Sequence, residues 1–182
     1  LQLKQSLKDP DPAVRRAAAA ALERLEAAQE LPQILTALKA EQRGTRVRAI
    51  LALEMINSPQ VFPPLLEILN NPDPDLRSAA IQVLGRKHEP KTIGNLVRHL
   101  KDPHPAVRVH AAEALGNFSD PRIIPYLAAM LREQDAELVI SAARSLASIG
   151  AVEGEPHLLG LLRHPHPGVR RTAAEGLGQL AT

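Results

Sequence analysis

Seven histidines and a recurring arginine are the residues with the most chemical potential in this chain of 182 amino acids, which contains no cysteine. His104, His164 and His166 stand beside prolines, His110 lies two places after Arg108, and His88 precedes Glu89. Imidazole and carboxylate groups are what a metal ion or a general base would need. Their spacing argues against both uses. His164 and His166, separated by one proline, supply at most two ligands, and no serine, histidine and acid converge in a nucleophile signature. No metal and no cofactor is expected, and the histidines near prolines read as replacements for Asp in turns and helix caps. The arginines are more regular. Arg15, Arg46, Arg77, Arg108 and Arg170 share one column, with Val139 in the remaining place and a step of 31 residues. A stripe of this kind would suit phosphate, if it faced outward.

The elements that must position this column repeat with it. In the same ungapped register stand Leu22, Leu53, Leu84, Leu115, Leu146 and Leu177, and likewise Ala18, Ala49, Ala80, Ala111, Ala142 and Ala173. Leu7, Leu38, Leu69, Leu100, Leu131 and Leu162 form another column, and Pro32, Pro63, Pro125 and Pro156 a fourth, broken by Gly94. Apolar residues recur three or four apart, as in Val107, Ala111, Ala114, Leu115 and Phe118, the spacing of an amphipathic helix. Each unit therefore holds two helices. First helices are expected near 1–8, 31–40, 60–70, 91–101, 122–132 and 155–163, and second helices near 12–27, 44–56, 74–87, 105–118, 136–149 and 167–180. Asp11-Pro12 and Asp73-Pro74 offer an N-cap followed by proline in the first helical position. Joints 41–44 and 134–136 lack that turn.

One hairpin cannot bury its own apolar stripe, so stacking of neighbours must complete the core. The fold expected is all-α, an α-solenoid of six helix-hairpin repeats at about 1–28, 29–59, 60–90, 91–121, 122–152 and 153–182, forming a single domain. Leu1 in place of Met is what a trimmed chain or a piece of a longer one would have.

The run Asp102-Pro-His-Pro-Ala-Val-Arg108-Val-His-Ala-Ala-Glu-Ala-Leu-Gly116, followed by Asp120-Pro-Arg-Ile-Ile-Pro125, resembles a HEAT repeat, and most narrowly the short HEAT-like repeats of the phycobilisome lyase class. The resemblance extends over all six units and implies an armadillo-like helical array. Its members include scaffolds and chaperone-like lyase subunits, so it implies protein binding or the handling of a bilin chromophore. Two enzyme families with similar repeats do not match. Deoxyhypusine hydroxylase carries several His-Glu pairs that bind iron, whereas His88-Glu89 is alone here; the HEAT-like DNA glycosylases rely on groove aromatics, and this chain has no Trp.

With aromatic residues at 2% and a formal charge of +2, composition favours packed aliphatic helices and gives no strong signal for nucleic acid. No apolar run approaches the ~20 residues of a membrane span. Cytoplasm is the default expectation. On a helical wheel the arginine column lies about 65° from the centre of the buried face. It therefore reads as a structural ladder to turn carboxylates and carbonyls. Two positions of the second helices lie more than about 150° from the core direction and should line an inner face. There stand Arg16, Val47, Leu51, Gln82, Val109, Glu113, Ile140, Arg144, Arg171 and Glu175. Apolar anchors within a polar surround suit a protein or peptide partner, and no enzymatic activity is expected. Nucleic-acid backbone binding through Arg16, Arg48, Arg144 and Arg171 is the weaker alternative.

Overall fold

The computed structural model describes residues 2–181, and among them every regular element is helical. The chain divides into two units, residues 1–67 and 68–182.

The first unit contains α1 (Gln2–Ser6), α2 (Pro12–Ala37), α3 (Arg43–Ala52) and the start of α4 (Phe62–Ile68). The expected break between helices at 12–27 and 31–40 is absent: α2 runs unbroken through Pro32. The local chemistry explains the fusion. At the equivalent joints Ser58-Pro59, Glu89-Pro90 and Asp120-Pro121 cap and begin a new turn, and ahead of Ala151-Val152 the helix is ended by Gly150 in the left-handed region, a glycine that the joint at Ala27-Ala28 also lacks. Ala27-Ala28 offers neither cap nor proline, and alanine is the best helix former. Pro32 lacks the N–H that would reach Ala28, at a cost of ~3 kcal/mol or more, yet does not interrupt the helix. After α3, Asn57 Nδ2 donates to Glu23 Oε2 at 2.8 Å, so the chain returns to the middle of α2.

In the second unit, helix pairs follow the 31-residue register. The longer helices α5 (Pro74–Lys87), α7 (Pro105–Leu115), α9 (Ala136–Ile149) and α11 (Pro167–Leu180) pack successively, each on the next. Between them lie short helices α6 (Ile93–Arg98), α8 (Ile124–Met130) and α10 (Glu155–Gly160), each preceded by a 3-10 turn. Close approach of the long helices depends on small residues. A Cβ on Gly85 would lie 2.7 Å from the Ala114 Cβ, one on Gly116 2.6 Å from Ser145 Oγ, and one on Gly176 3.1 Å from the Ala147 Cβ. Ser145 Oγ also donates to the Ala112 carbonyl at 2.5 Å, tying α9 to α7.

The leucine column forms the core in the middle of the chain: Leu53, Leu84, Leu115 and Leu146 are fully buried. Leu22 and Leu177, expected to be buried as well, are only half-buried. The two joints without an Asp-Pro turn still start helices near the expected places, α3 at Arg43 and α9 at Ala136, the latter capped by Asp135.

Candidate functional site

All five column arginines reach back to the turn before their helix. Nη1 of Arg15 donates to the carbonyls of Asp9 and Pro10 at 2.7 and 3.1 Å, and Arg46, Arg77, Arg108 and Arg170 repeat the pattern on carbonyls six and five residues earlier. The carboxylate half of the expected ladder is different. Arg77 does not take a carboxylate of its own turn; its Nε and Nη2 grip both oxygens of Asp102, 25 residues ahead, in the turn of the next pair. A guanidinium presents a planar fork, so one face closes its own turn while the other edge holds the neighbour's. Burial raises the proton affinity of Asp102. The two Arg77 bonds, the His104 N–H and the nearby positive charge outweigh that and hold its carboxyl below the ordinary range.

The turn histidines act as acceptors. His104 Nδ1 accepts from Ala106 N at 3.2 Å and His166 Nδ1 from Gly168 N at 3.1 Å, the place Asp11, Asp73 and Asp135 occupy elsewhere. His164 Nδ1 accepts from His166 N at 3.0 Å, as Asp102 Oδ1 does from His104 N. His88 ends α5 in the left-handed region with φ of 38°, and Glu89 caps the following turn. Sequence spacing gave no sign of His99, whose ring nitrogens lie 2.8 Å from the Asn95 carbonyl and 3.1 Å from that of Leu69. Among the described residues no three His, Asp or Glu side chains gather as a metal site.

The expected inner-face residues differ in exposure. Arg16, Leu51, Glu113, Arg144, Arg171 and Glu175 are exposed, whereas Val47, Gln82, Val109 and Ile140 are half-buried. Ile140 leans toward α11, its Cδ1 only 3.3 Å from where a Gly168 Cβ would stand. Four of these residues fall in two small clefts, each about 180 Å³. One, between α5 and α7, is lined by Gln82, Arg86, His110, Glu113 and Asn117; the other, between α9 and α11, by Arg144, Ser148, Thr172, Glu175 and Gln179. The pairs Gln82/Glu113 and Arg144/Glu175 occupy the same columns two repeats apart, as do Arg86/Asn117 and Ser148/Gln179. His110 Nδ1, on the first cleft, is buried without a hydrogen-bond partner. On the short-helix side, an open cleft of about 650 Å³ lies between α8 and α10, lined by Pro125, Ala129, Leu131, Pro156 and Leu161 with Arg132 and His157. No helix among the described residues is long and apolar enough to cross a membrane.

Paired helices packed in a fixed register, with arginines closing five of the turns, define an α-solenoid. The chain belongs to the HEAT repeat family: models of HEAT repeats match residues 1–71 and 62–147, and a further HEAT repeat matches 156–182. Among solved structures it is similar to a chain of the CpcE and CpcF complex of phycocyanin lyase from Nostoc sp. PCC7120, with 17% identity, a TM-score of 0.70, and coverage of 82% of this chain and 98% of that one. It is also similar to a designed armadillo repeat protein in complex with the peptide (KR)4, at 18% identity, TM-score 0.63 and 98% coverage of both chains. An engineered protein matches at 20% identity, TM-score 0.57 and coverage of 99% and 95%. No curated protein matches the sequence.

Proposed function

We propose that this protein is an interaction scaffold whose long-helix face holds an extended segment of a partner protein. The observation that carries the reading is the recurrence of the same polar cleft at Gln82/Glu113 and at Arg144/Glu175, two repeats apart. Helices packed at about 8–10 Å put those clefts ~16–20 Å apart. Roughly six residues of extended chain, at ~3.3 Å each, would reach from one to the other. Each cleft offers amide or hydroxyl groups for backbone and a carboxylate, Glu113 or Glu175, for a basic side chain. The structural neighbour that holds a (KR)4 peptide supports that choice of partner. Val109, Ile140 and Arg171 extend the same face, with the half-buried Val109 and Ile140 as its floor, and Arg16, Val47 and Leu51 hold the corresponding columns of the first unit.

Titrating (KR)4 into the full chain tests this by fluorescence anisotropy. Glu113→Lys with Glu175→Lys should weaken binding more than about thirtyfold, roughly 2 kcal/mol, with helical content unchanged. Equal binding by the double variant, or none by the parent chain, overturns the proposal. Duplex DNA in place of peptide tests the alternative through Arg16, Arg48, Arg144 and Arg171, for which log affinity would fall steeply with log salt.

A second reading is a chaperone-like or bilin lyase subunit. The apolar cleft between α8 and α10 favours it, having the size of a small-molecule site with Arg132 and His157 available for a propionate. Absorbance and circular dichroism of an added linear tetrapyrrole would change on binding, and Ala129→Trp should abolish the change.

A further inference from the structure

In the first unit two sets of side chains that the repeat register assigns to one interface are more exposed than their counterparts in the second unit. On α3, Thr45 and Ala52 are half-buried and Arg48 is exposed. Their counterparts Leu138, Ser141 and Ser145 on α9, and Val169, Thr172 and Gly176 on α11, are all buried. On the N-terminal half of α2, Ala19 and Leu22 are half-buried and Leu25 is 51% exposed, whereas Ala112, Leu115 and Phe118 in the same columns are at most 4% exposed. The cause is the continuity of α2. A helix of 26 residues extends ~39 Å, while the ten residues of α3 span only ~15 Å and fold back along its C-terminal half. Residues 2–22 are thus carried beyond the reach of α3 of the same chain.

We infer that the uncovered face is filled by a second copy of this chain: residues 2–27 of one protomer stack on α3 of its partner, reciprocally. Both halves of the interface are present in one sequence and neither is satisfied within it, which is the condition for exchange of an identical element across a two-fold axis. The hinge, residues 27–31, consists of Ala-Ala-Gln-Glu-Leu, which favours the open straight helix. The register specifies the contacts. Ile140 leans over Gly168 in the second unit, so Arg16 should lie over Gly44 of the other copy. Within one straight chain, 21 helical steps from Arg16 to Ala37 already separate them by ~31 Å.

The absence of native cysteine makes this measurable. The full chain with Arg16→Cys and Gly44→Cys is treated with a short bismaleimide and resolved by denaturing mass analysis, beside sedimentation of the parent. Gly44 tolerates a side chain, since a Cβ there meets only Arg48 Nη1 at 3.6 Å. The expected result is a parent dimer of twice 19.7 kDa and cross-links between chains. Adding Ala27→Ser and Ala28→Pro copies the break at Ser58-Pro59. It should close the hinge, move the cross-link inside one chain and raise the dimer dissociation constant at least tenfold. A monomeric parent, cross-links confined to single chains, no cross-link at all, or a dimer indifferent to the hinge variant would each overturn the inference.

Discussion

Arg77 spans two repeats with one side chain: Nη1 holds the Asn71 carbonyl at 2.8 Å while Nε and Nη2 hold Asp102 at 3.0 and 2.9 Å, with the carboxylate only 4% exposed. Removal of one member of a well-shielded pair leaves the other charge without its counterpart, so Asp102→Asn should cost about 3 kcal/mol by urea denaturation. The sign of the pH effect follows from the lowered carboxyl. The stabilisation is present above the unfolded-state value, near 4, and is lost as pH falls through the lower folded value. Asp102→Asn should therefore flatten the acid limb of a melting temperature against pH curve, and an unchanged limb would assign acid sensitivity elsewhere.

The approach of α7 to α9 leaves no space for a methyl group at Gly116, where a Cβ would lie 2.6 Å from Ser145 Oγ and 3.0 Å from its Cα. Gly116→Ala should destabilise by about 1–3 kcal/mol. At Gly94, on α6, nothing lies within 4 Å of the added carbon. Gly94→Ala should stabilise by about 0.5–1 kcal/mol, since alanine loses less backbone freedom in a helix. Thermal melts of the two variants should shift in opposite directions.

A histidine can cap a helix only while its acceptor nitrogen carries no proton, and it adds no negative charge to the helix N-terminus. His166→Asp preserves the acceptor toward Gly168 N and adds that charge, so it should raise stability by about 0.5–1 kcal/mol. His166→Ala should lose about 1 kcal/mol. Chemical denaturation of the pair measures both, and equal stability would show that the cap contributes nothing.

Val139 takes the ladder position on α9 and is fully buried. It packs well but has no donor for the carbonyls of Glu133 and Gln134, which in other turns are closed by arginine. Hydrogen exchange should be faster at 134–140 than at 102–108, where Arg108 closes the turn at 2.7 Å. Equal rates would mean that the arginines contribute little to turn rigidity.

Sequence alone was sufficient for what repeats locally. The 31-residue period, the caps at Asp11, Asp73 and Asp135, the buried leucines from Leu53 to Leu146 and the turn role of the histidines depend on residues a few places apart in one helix or turn. Physical rules of helix periodicity and capping act at that range. The missing break at Ala27-Ala28 is also local, since the joint lacks both the Ser-Pro, Glu-Pro or Asp-Pro pair of its neighbours and the glycine that ends α9, but the regular 31-residue register masks it. Only tertiary structure decided the rest. That Arg77 chooses Asp102 depends on which turn abuts it in space, and a separation of 25 positions leaves no sign of it in spacing. A helical wheel gives the direction of Val109 and Ile140 but not how deep the next helix sits, and Gly168 lets Ile140 sink where a larger residue would have held it outward. The polar clefts at Gln82/Glu113 and Arg144/Glu175 likewise exist because glycine, alanine and serine bring the long helices close, and distances between helices are set by packing that no single segment contains.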